Sequence, residues 1–182
     1  MNIKETPIKD LLIIEPKIWK DDRGYFFESY NQKAFADAGI NAEFVQDNQS
    51  YSHKGALRGL HAQLNPYAQG KLVRVIQGEV LDVAVDIRKS SPTYGQHFKI
   101  VLSGENNTMF WVPPGFLHGF VTLADHTIFS YKCTNLYHKD SELGVIWNDQ
   151  DLNIDWGVSA NEALVSPKDM VLPAFADIQS PF

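Results

Sequence analysis

A single cysteine, Cys133, occurs in 182 residues, so no intrachain disulfide can form and the chain suits a reducing compartment. Basic charge is also in short supply. There are 16 Lys and Arg against 22 Asp and Glu, a formal net charge of -6 at pH 7. That balance excludes general nucleic-acid binding, because phosphate neutralisation needs a basic face. A few converging cations would still hold one small anion. No apolar run is long enough to span a membrane, and residues 1–14 (MNIKETPIKDLLII) lack the continuous apolar stretch of a secretion signal. Low-complexity tracts, repeats and linkers are missing too. What remains is 44% hydrophobic residues, ample material for one core. The expectation is a single cytoplasmic domain over 1–182 with no membrane or nucleic-acid partner.

Period-2 alternation is the dominant pattern from residue 71 to 134. In EVLDVAVDIR, Leu81, Val83, Val85 and Ile87 share one face, and Asp82, Ala84, Asp86 and Arg88 the other. Gln77-Gly78 is a turn signal, which makes KLVRVI the expected hairpin partner of that strand. Phe98, Ile100 and Leu102 alternate next, followed by MFWVP, PPGFLHGF and TIFSYKCT. Short strands at this spacing predict an antiparallel sandwich or barrel. Helical signals are few: Asn31 as a cap for QKAFADA, a capping box at Ser159 to Glu162, and SPKD at 166–169 with Pro167 in the first turn. The fold expected is mostly β, with a few short helices mainly near the C-terminus.

GALRGLHAQ, residues 55–63, puts Arg58, His61 and Gln63 into a short apolar strand. Gly59 would let another group approach the backbone, and Arg58 offers a two-pronged fork for an anion. His118, after the rigid Pro113-Pro114-Gly115 turn, reads equally as a site residue or as a buried imidazole bonded to a carbonyl. Tyr131 shares a strand face with Thr127, Phe129 and Cys133, where core packing is the ordinary role. Lys71 at a strand start is ordinarily solvated, and Asp169 in SPKD serves as a helix cap. Arg23, Arg58, Lys71, Arg74 and Lys168 are scattered along the chain, and nothing in the pattern makes them converge.

The run P-x-G-x-x-H at Pro113 to His118, preceded by Gly104, resembles the second cupin motif. Where the first motif carries H-x-H, this chain has His61-Ala62-Gln63, and a neutral glutamine is a weak transition-metal ligand. The resemblance implies an antiparallel cupin (jelly-roll) barrel that has lost its metal and works without a cofactor.

A larger set of segments is similar to the dTDP-4-dehydrorhamnose 3,5-epimerase family: DDRGYFFESYN (21–31), FVQDNQS (44–50), GALRGLHAQ (55–63), QGKLVRVIQGEVLDVAVDIRKSSPTYG (69–95), WVPPGFLHGF (111–120), YKCTNLY (131–137), ELGVIWND (142–149) and SPKD (166–169). They follow the family's order over nearly the whole chain. The resemblance implies His61 as general base, Asp169 as the partner that orients it, Tyr131 as general acid and Lys71 as the cation that stabilises the enolate oxygen. It implies substrate contacts at Arg23, Glu28, Gln46, Asp47, Asn48, Arg58, Lys71, His118, Glu142 and Lys168. It also implies a homodimer and a dTDP-4-keto-6-deoxy sugar as substrate. Apart from the resemblance, Tyr137 and Trp147 are aromatic candidates for stacking on the base, with ordinary packing the first reading of either alone. Leu117 stands where family members often have a smaller residue, a difference that bears on pocket shape.

The chemistry accounts for these residue types. A 4-keto sugar acidifies the hydrogens on both flanking carbons. One group must remove a proton to give an enolate, and another must return one to the opposite face. His61 can accept a proton near neutral pH, and Tyr131 can donate one while remaining neutral beforehand. Three other readings stay open at this stage: an epimerase acting at one carbon only, a nucleotide-sugar-binding cupin without catalysis, and a metal-dependent cupin. A sugar ketoisomerase fits the linked RGLH and SPKD motifs less well.

Overall fold

The computed structural model describes residues 1–182. One antiparallel sheet runs in the order β1 (Asn2–Glu5), β2 (Leu12–Glu15), β10 (Met109–Val112), β7 (Lys71–Gln77), β12 (Thr127–Cys133), β5 (Gln46–Ser52). The second runs β13 (Glu142–Gly144), β6 (Ala56–Gln63), β11 (Phe116–Thr122), β8 (Glu79–Asp86), β9 (His97–Ser103), and the short β14 (Leu164–Val165) lies parallel to β6. A detached hairpin joins β3 (Trp19–Asp21) to β4 (Gly24–Phe26). The two large sheets face each other as a jelly roll.

The expected hairpin between KLVRVI and EVLDVAVDIR is not there. β7 pairs with β10 and β12, whereas β8 pairs with β9 and β11. Gly78 turns the chain from one sheet to the other at φ +80°, and a Cβ added there would meet Thr127 Oγ1. A turn signal between two alternating strands fits a hairpin and a corner equally well, because both need the same backbone conformation.

Both faces of the second sheet are buried, each against a different partner. Val80 and Ala84 of β8 enter the space between the sheets with Val73, Val75, Phe110, Phe120 and Phe129. Val83, Val85 and Ile87 point outward, where Leu57, Leu60, Leu117 and Val121 join them under Val145, Leu152 and Trp156 of the C-terminal segment. Full burial of such side chains is worth roughly 1.5–3 kcal/mol each, so this outer cover is part of the core. The consequence for function is that the acidic positions of β8, Asp82 and Asp86, face inward.

The α-helix α1 (Gln32–Asp37) begins at Asn31, whose Oδ1 accepts from Ala34 N at 3.0 Å. It seals the outer face of the first sheet by setting Phe35 against Leu72, Met109 and Trp111. The capping box closes at Ser159, where Glu162 Oε2 accepts from Ser159 N at 2.9 Å. No helix follows, because residues 164–165 pair with β6 at once. SPKD opens only a 3₁₀ turn, Asp169–Val171, with Asp169 N bonded to Ser166 Oγ at 3.1 Å. The C-terminal helices expected from the sequence are thus single 3₁₀ turns, and the one α-helix lies before β5.

Candidate active site

A β-bulge sets up the site. His118 pairs with His61 and Phe120 with Arg58, so β6 advances three residues while β11 advances two. Without the extra residue, alternation would send Arg58 and His61 to opposite faces. With it, both line one cavity. Gly59 (φ +130°) makes this possible, since a Cβ there would lie 2.6 Å from Gly119 Cα. The close approach that Gly59 permits is therefore between neighbouring strands and not to a ligand.

His61 Nε2 lies 2.7 Å from Asp169 Oδ1. Burial works to raise the Asp169 carboxyl, but hydrogen bonds from His61, the Gly59 backbone and Ser166 outweigh it and hold its pKa below the ordinary value. Asp169 is then a carboxylate and can only accept, so Nε2 carries a hydrogen, and it is Nδ1 that has a lone pair to offer whenever the ring is neutral. The side chain of His61 is 30% exposed and that of Asp169 only 6%. The imidazole is open to a ligand while the carboxylate it bonds is sealed.

Tyr131 and Lys71 come from the facing sheet, on β12 and β7. Burial, with a further contribution from Cys133, raises the Tyr131 phenol, which keeps it a neutral proton donor. Burial lowers the Lys71 ammonium, with Cys133, Asp82 and Glu142 opposing that shift. Arg58 bonds Ser52 Oγ at 3.3 Å and pairs with no carboxylate. Two cations without ion-pair partners in one cavity suit an anionic ligand or a developing oxyanion.

The cavity has a volume of about 590 Å³ and includes Arg58, His61, Lys71, His118, Tyr131 and Asp169 in its lining. A second compartment of about 370 Å³ adjoins it and is lined by Gln46, Asn48, Gln63, Tyr137 and Glu142. His61, Lys71 and Tyr131 line both, so these three side chains stand at the junction.

The remaining candidates divide clearly. Gln46 and Asn48 face the second compartment, with Gln46 Nε2 bonded to Asn48 Oδ1 at 3.1 Å. Glu142 reaches that compartment and pairs with Lys168 at 2.5 Å. Asp47, one residue out of phase with Gln46 and Asn48, points to the outer face and pairs with Lys132 at 2.8 Å. Arg23 pairs with Asp21 on the exposed β3–β4 hairpin, and Glu28 accepts from Asn31 at 3.1 Å. Within one chain, Asp47, Arg23 and Glu28 do not reach the cavity. Arg74 lies over the Phe27 ring on the outer face. Leu117 is fully buried in the outer cluster, so its size does not bear on pocket shape. Trp147 also packs there, while Tyr137 stands at the rim.

Asp82 was not among the candidates. It is fully buried, with both oxygens 2.9–3.0 Å from His118 Nε2. Burial raises its carboxyl, and His118 and Lys71 offset part of that. His118 is thus a buried imidazole on a carboxylate, not on a carbonyl. The available signal was an acid in a strand alternating with Val and Leu, which reads as the solvent face unless both faces are known to be covered. Gln63 is engaged with loop backbone, and no three His, Cys, Asp or Glu side chains converge as a metal-holding group.

Residues 5–177 match the family model described as dTDP-4-dehydrorhamnose 3,5-epimerase. A protein of that name from Shigella flexneri is 54% identical over 178 residues, 97% of each chain. The crystal structure of a dTDP-6-deoxy-D-glucose-3,5-epimerase from Legionella pneumophila, in complex with dTDP-4-keto-L-rhamnose, superposes with a TM-score of 0.93 at 50% identity, covering 98% of this chain and 94% of that one. A 3′-monoepimerase from Streptomyces bikiniensis in complex with dTDP-quinovose is more distant, at 33% identity and a TM-score of 0.88 over 94% of this chain and 86% of that one.

Proposed function

The chain belongs to the dTDP-4-dehydrorhamnose 3,5-epimerase family, and from that premise we propose how its own residues invert carbons 3 and 5 of dTDP-4-dehydro-6-deoxy-D-glucose. The observation that carries the reading is the opposition of His61 on one sheet, bonded to Asp169 of the 3₁₀ turn beside it, to Tyr131 with Lys71 on the other sheet. His61 Nδ1 takes the proton from a carbon beside the ketone. The electron pair moves onto the carbonyl oxygen, and Lys71 stabilises the enolate. Tyr131 then delivers a proton to the opposite face of that carbon, and solvent resets both groups. The same steps at the second flanking carbon give dTDP-4-dehydro-L-rhamnose, a precursor for cell-surface polysaccharide. Each positioned proton-transfer group supplies about 10²–10⁴-fold. Lys71 acts on charge that exists mainly in the transition state, and so on rate more than on binding.

Arg58 is the cation for the diphosphate, and Tyr137 at the rim is the candidate for stacking on the base. The working unit is a homodimer in the cytoplasm. Arg23 and Glu28 sit at the exposed hairpin with Trp19, Tyr25 and Phe26, all at least 46% exposed. An isolated two-stranded hairpin is marginal in water, so this one packs on a second copy and brings Arg23 to that copy's site.

The test is proton exchange. The protein is incubated with dTDP-4-dehydro-6-deoxy-D-glucose in deuterated water and the sugar is followed by NMR. Deuterium at both carbons 3 and 5, lost in His61→Asn, supports the double epimerase. Label at one carbon makes it a single-centre enzyme, and no label with substrate bound makes it a binding protein.

A further inference from the structure

Gln63, at the position where other cupins place a metal ligand, ties two loops together. It is 5% exposed and lies two residues beyond His61 on β6. Its Nε2 donates to Tyr67 O at 2.6 Å and to Leu136 O at 3.1 Å, and its Oε1 accepts from His138 N at 2.7 Å. Tyr67 belongs to the β6–β7 loop, while Leu136 and His138 follow β12. One side chain thus joins segments that leave opposite sheets. The joint has further supports. The Tyr67 and His138 rings stack at 3.9 Å and 4°. Gln69 Nε2 donates to Asn135 O at 2.7 Å, and Asn135 Nδ2 donates to Pro66 O at 3.1 Å.

Tyr137 lies between two residues that Gln63 holds, and it faces the 370 Å³ compartment. Its backbone N–H is fixed in turn by Gln46 Oε1 at 2.8 Å. The mouth of that compartment is therefore built in advance of any ligand. Preorganisation of this kind lowers the ordering cost of binding and slows departure more than it changes bond-making.

A double inversion makes a special demand on such a mouth. One base and one acid must treat two different carbons in turn, so the sugar has to shift after the first inversion without leaving. Whether it stays is a competition between the second proton transfer and escape. We propose that Gln63 is a positioning residue which, by fixing the mouth loops, retains the singly inverted sugar until the second inversion is complete. This rests on the assignment of His61 and Tyr131 above. Gln63 itself touches no reacting atom.

Gln63→Leu keeps the approximate volume and removes all three hydrogen bonds. In deuterated water, initial label entry at the first carbon should stay within about threefold of the parent at saturation, since His61 and Tyr131 are untouched. KM should rise about tenfold, the scale set by one or two net hydrogen bonds. The singly inverted sugar should appear free in solution at several times its parental level. Tyr67→Ala, which removes the ring stack from an exposed position, should move both readouts in the same direction and serves if Gln63→Leu folds poorly. Unchanged KM and unchanged product partition in both variants overturn the proposal. So does an equal loss of label entry at both carbons with no free intermediate, which would put Gln63 on the chemistry of His61. Failure of the parent protein to exchange any proton is a different result, because it strikes the epimerase assignment itself.

Discussion

His61 Nε2 and Asp169 Oδ1 meet at 2.7 Å although 108 positions separate them in sequence. β6 supplies the imidazole, and the 3₁₀ turn after β14 supplies the carboxylate. On the proposed reading the pair acts as a unit, and the two residues are then expected not to contribute independently. Asp169→Asn is expected to lower kcat about 10²–10³-fold with a small change in KM, since the imidazole loses its orienting anion. The double variant with His61→Asn should be no slower than His61→Asn alone. Multiplicative losses in that cycle would show that the two residues act separately.

Burial raises the Tyr131 phenol and keeps it neutral, and the proposed function gives it the part of acid beside His61 as base. In Tyr131→Phe, His61 can still remove a proton and return a deuteron to the same face. Deuterium should enter slowly with retention of configuration, while inversion falls about 10²–10⁴-fold. NMR of sugar recovered from deuterated water reads both quantities. Inversion at the parental rate would remove Tyr131 from the role of acid.

Lys71 has its pKa lowered by burial, so its charge costs stability at neutral pH. The sign follows from proton counting: the folded chain holds this proton less tightly than the unfolded chain, and stability recovers as pH rises toward the unfolded lysine value. Lys71→Met should therefore raise the melting temperature, by about 2–4 °C for each kcal/mol relieved, while kcat falls about 10²-fold or more through loss of enolate stabilisation. An unaltered kcat would end the oxyanion role. A lower melting temperature would mean that the amine is better compensated than its surroundings indicate.

Much of the strand content and the His61 segment could be read from local pattern, because alternation and turn residues are local properties. What could not be read depended on contacts far apart in sequence. The meeting of His61 with Asp169 is one such contact. The inward direction of Asp82 is another: alternation separates two faces but does not say which is inside, and here the C-terminal segment covers the more apolar one. The same cover turns Leu117 away from the cavity. Asp47 missed the site by one residue of phase, and the bulge at Gly59 brought Arg58 into phase with His61. The β7–β8 corner reads in sequence as a hairpin because a glycine with positive φ serves both. Arg23, in the exposed β3–β4 hairpin, and Glu28, just after it, stand outside the cavity of their own chain, which local pattern does not reveal.

Away from the cavity lining, Asp86 at the end of β8 makes stability depend on acid. Its Oδ1 accepts from Arg88 Nε at 2.9 Å, and its Oδ2 accepts from Arg88 Nη2 at 2.7 Å, Ser91 Oγ at 2.6 Å and Thr93 Oγ1 at 2.7 Å. Arg88 continues to Asp10 at 2.6 Å and covers the Phe116 ring at 4.5 Å. Burial alone would raise the Asp86 carboxyl, but these bonds hold its pKa at about 2 against an ordinary 3.8. A lowered carboxylate stabilises the fold fully above its unfolded value and loses that contribution as pH falls through the folded value. The window is therefore about pH 4 down to pH 2, and the amount is about 2 kcal/mol. Asp86→Asn should reduce the unfolding free energy at pH 7 by at least about that much, since it also leaves Arg88 without its buried partner. Between pH 5 and pH 2.5 the variant should lose less stability than the parent. Denaturant unfolding at the two pH values measures both differences, and parallel losses would show that Asp86 carries no share of the acid sensitivity.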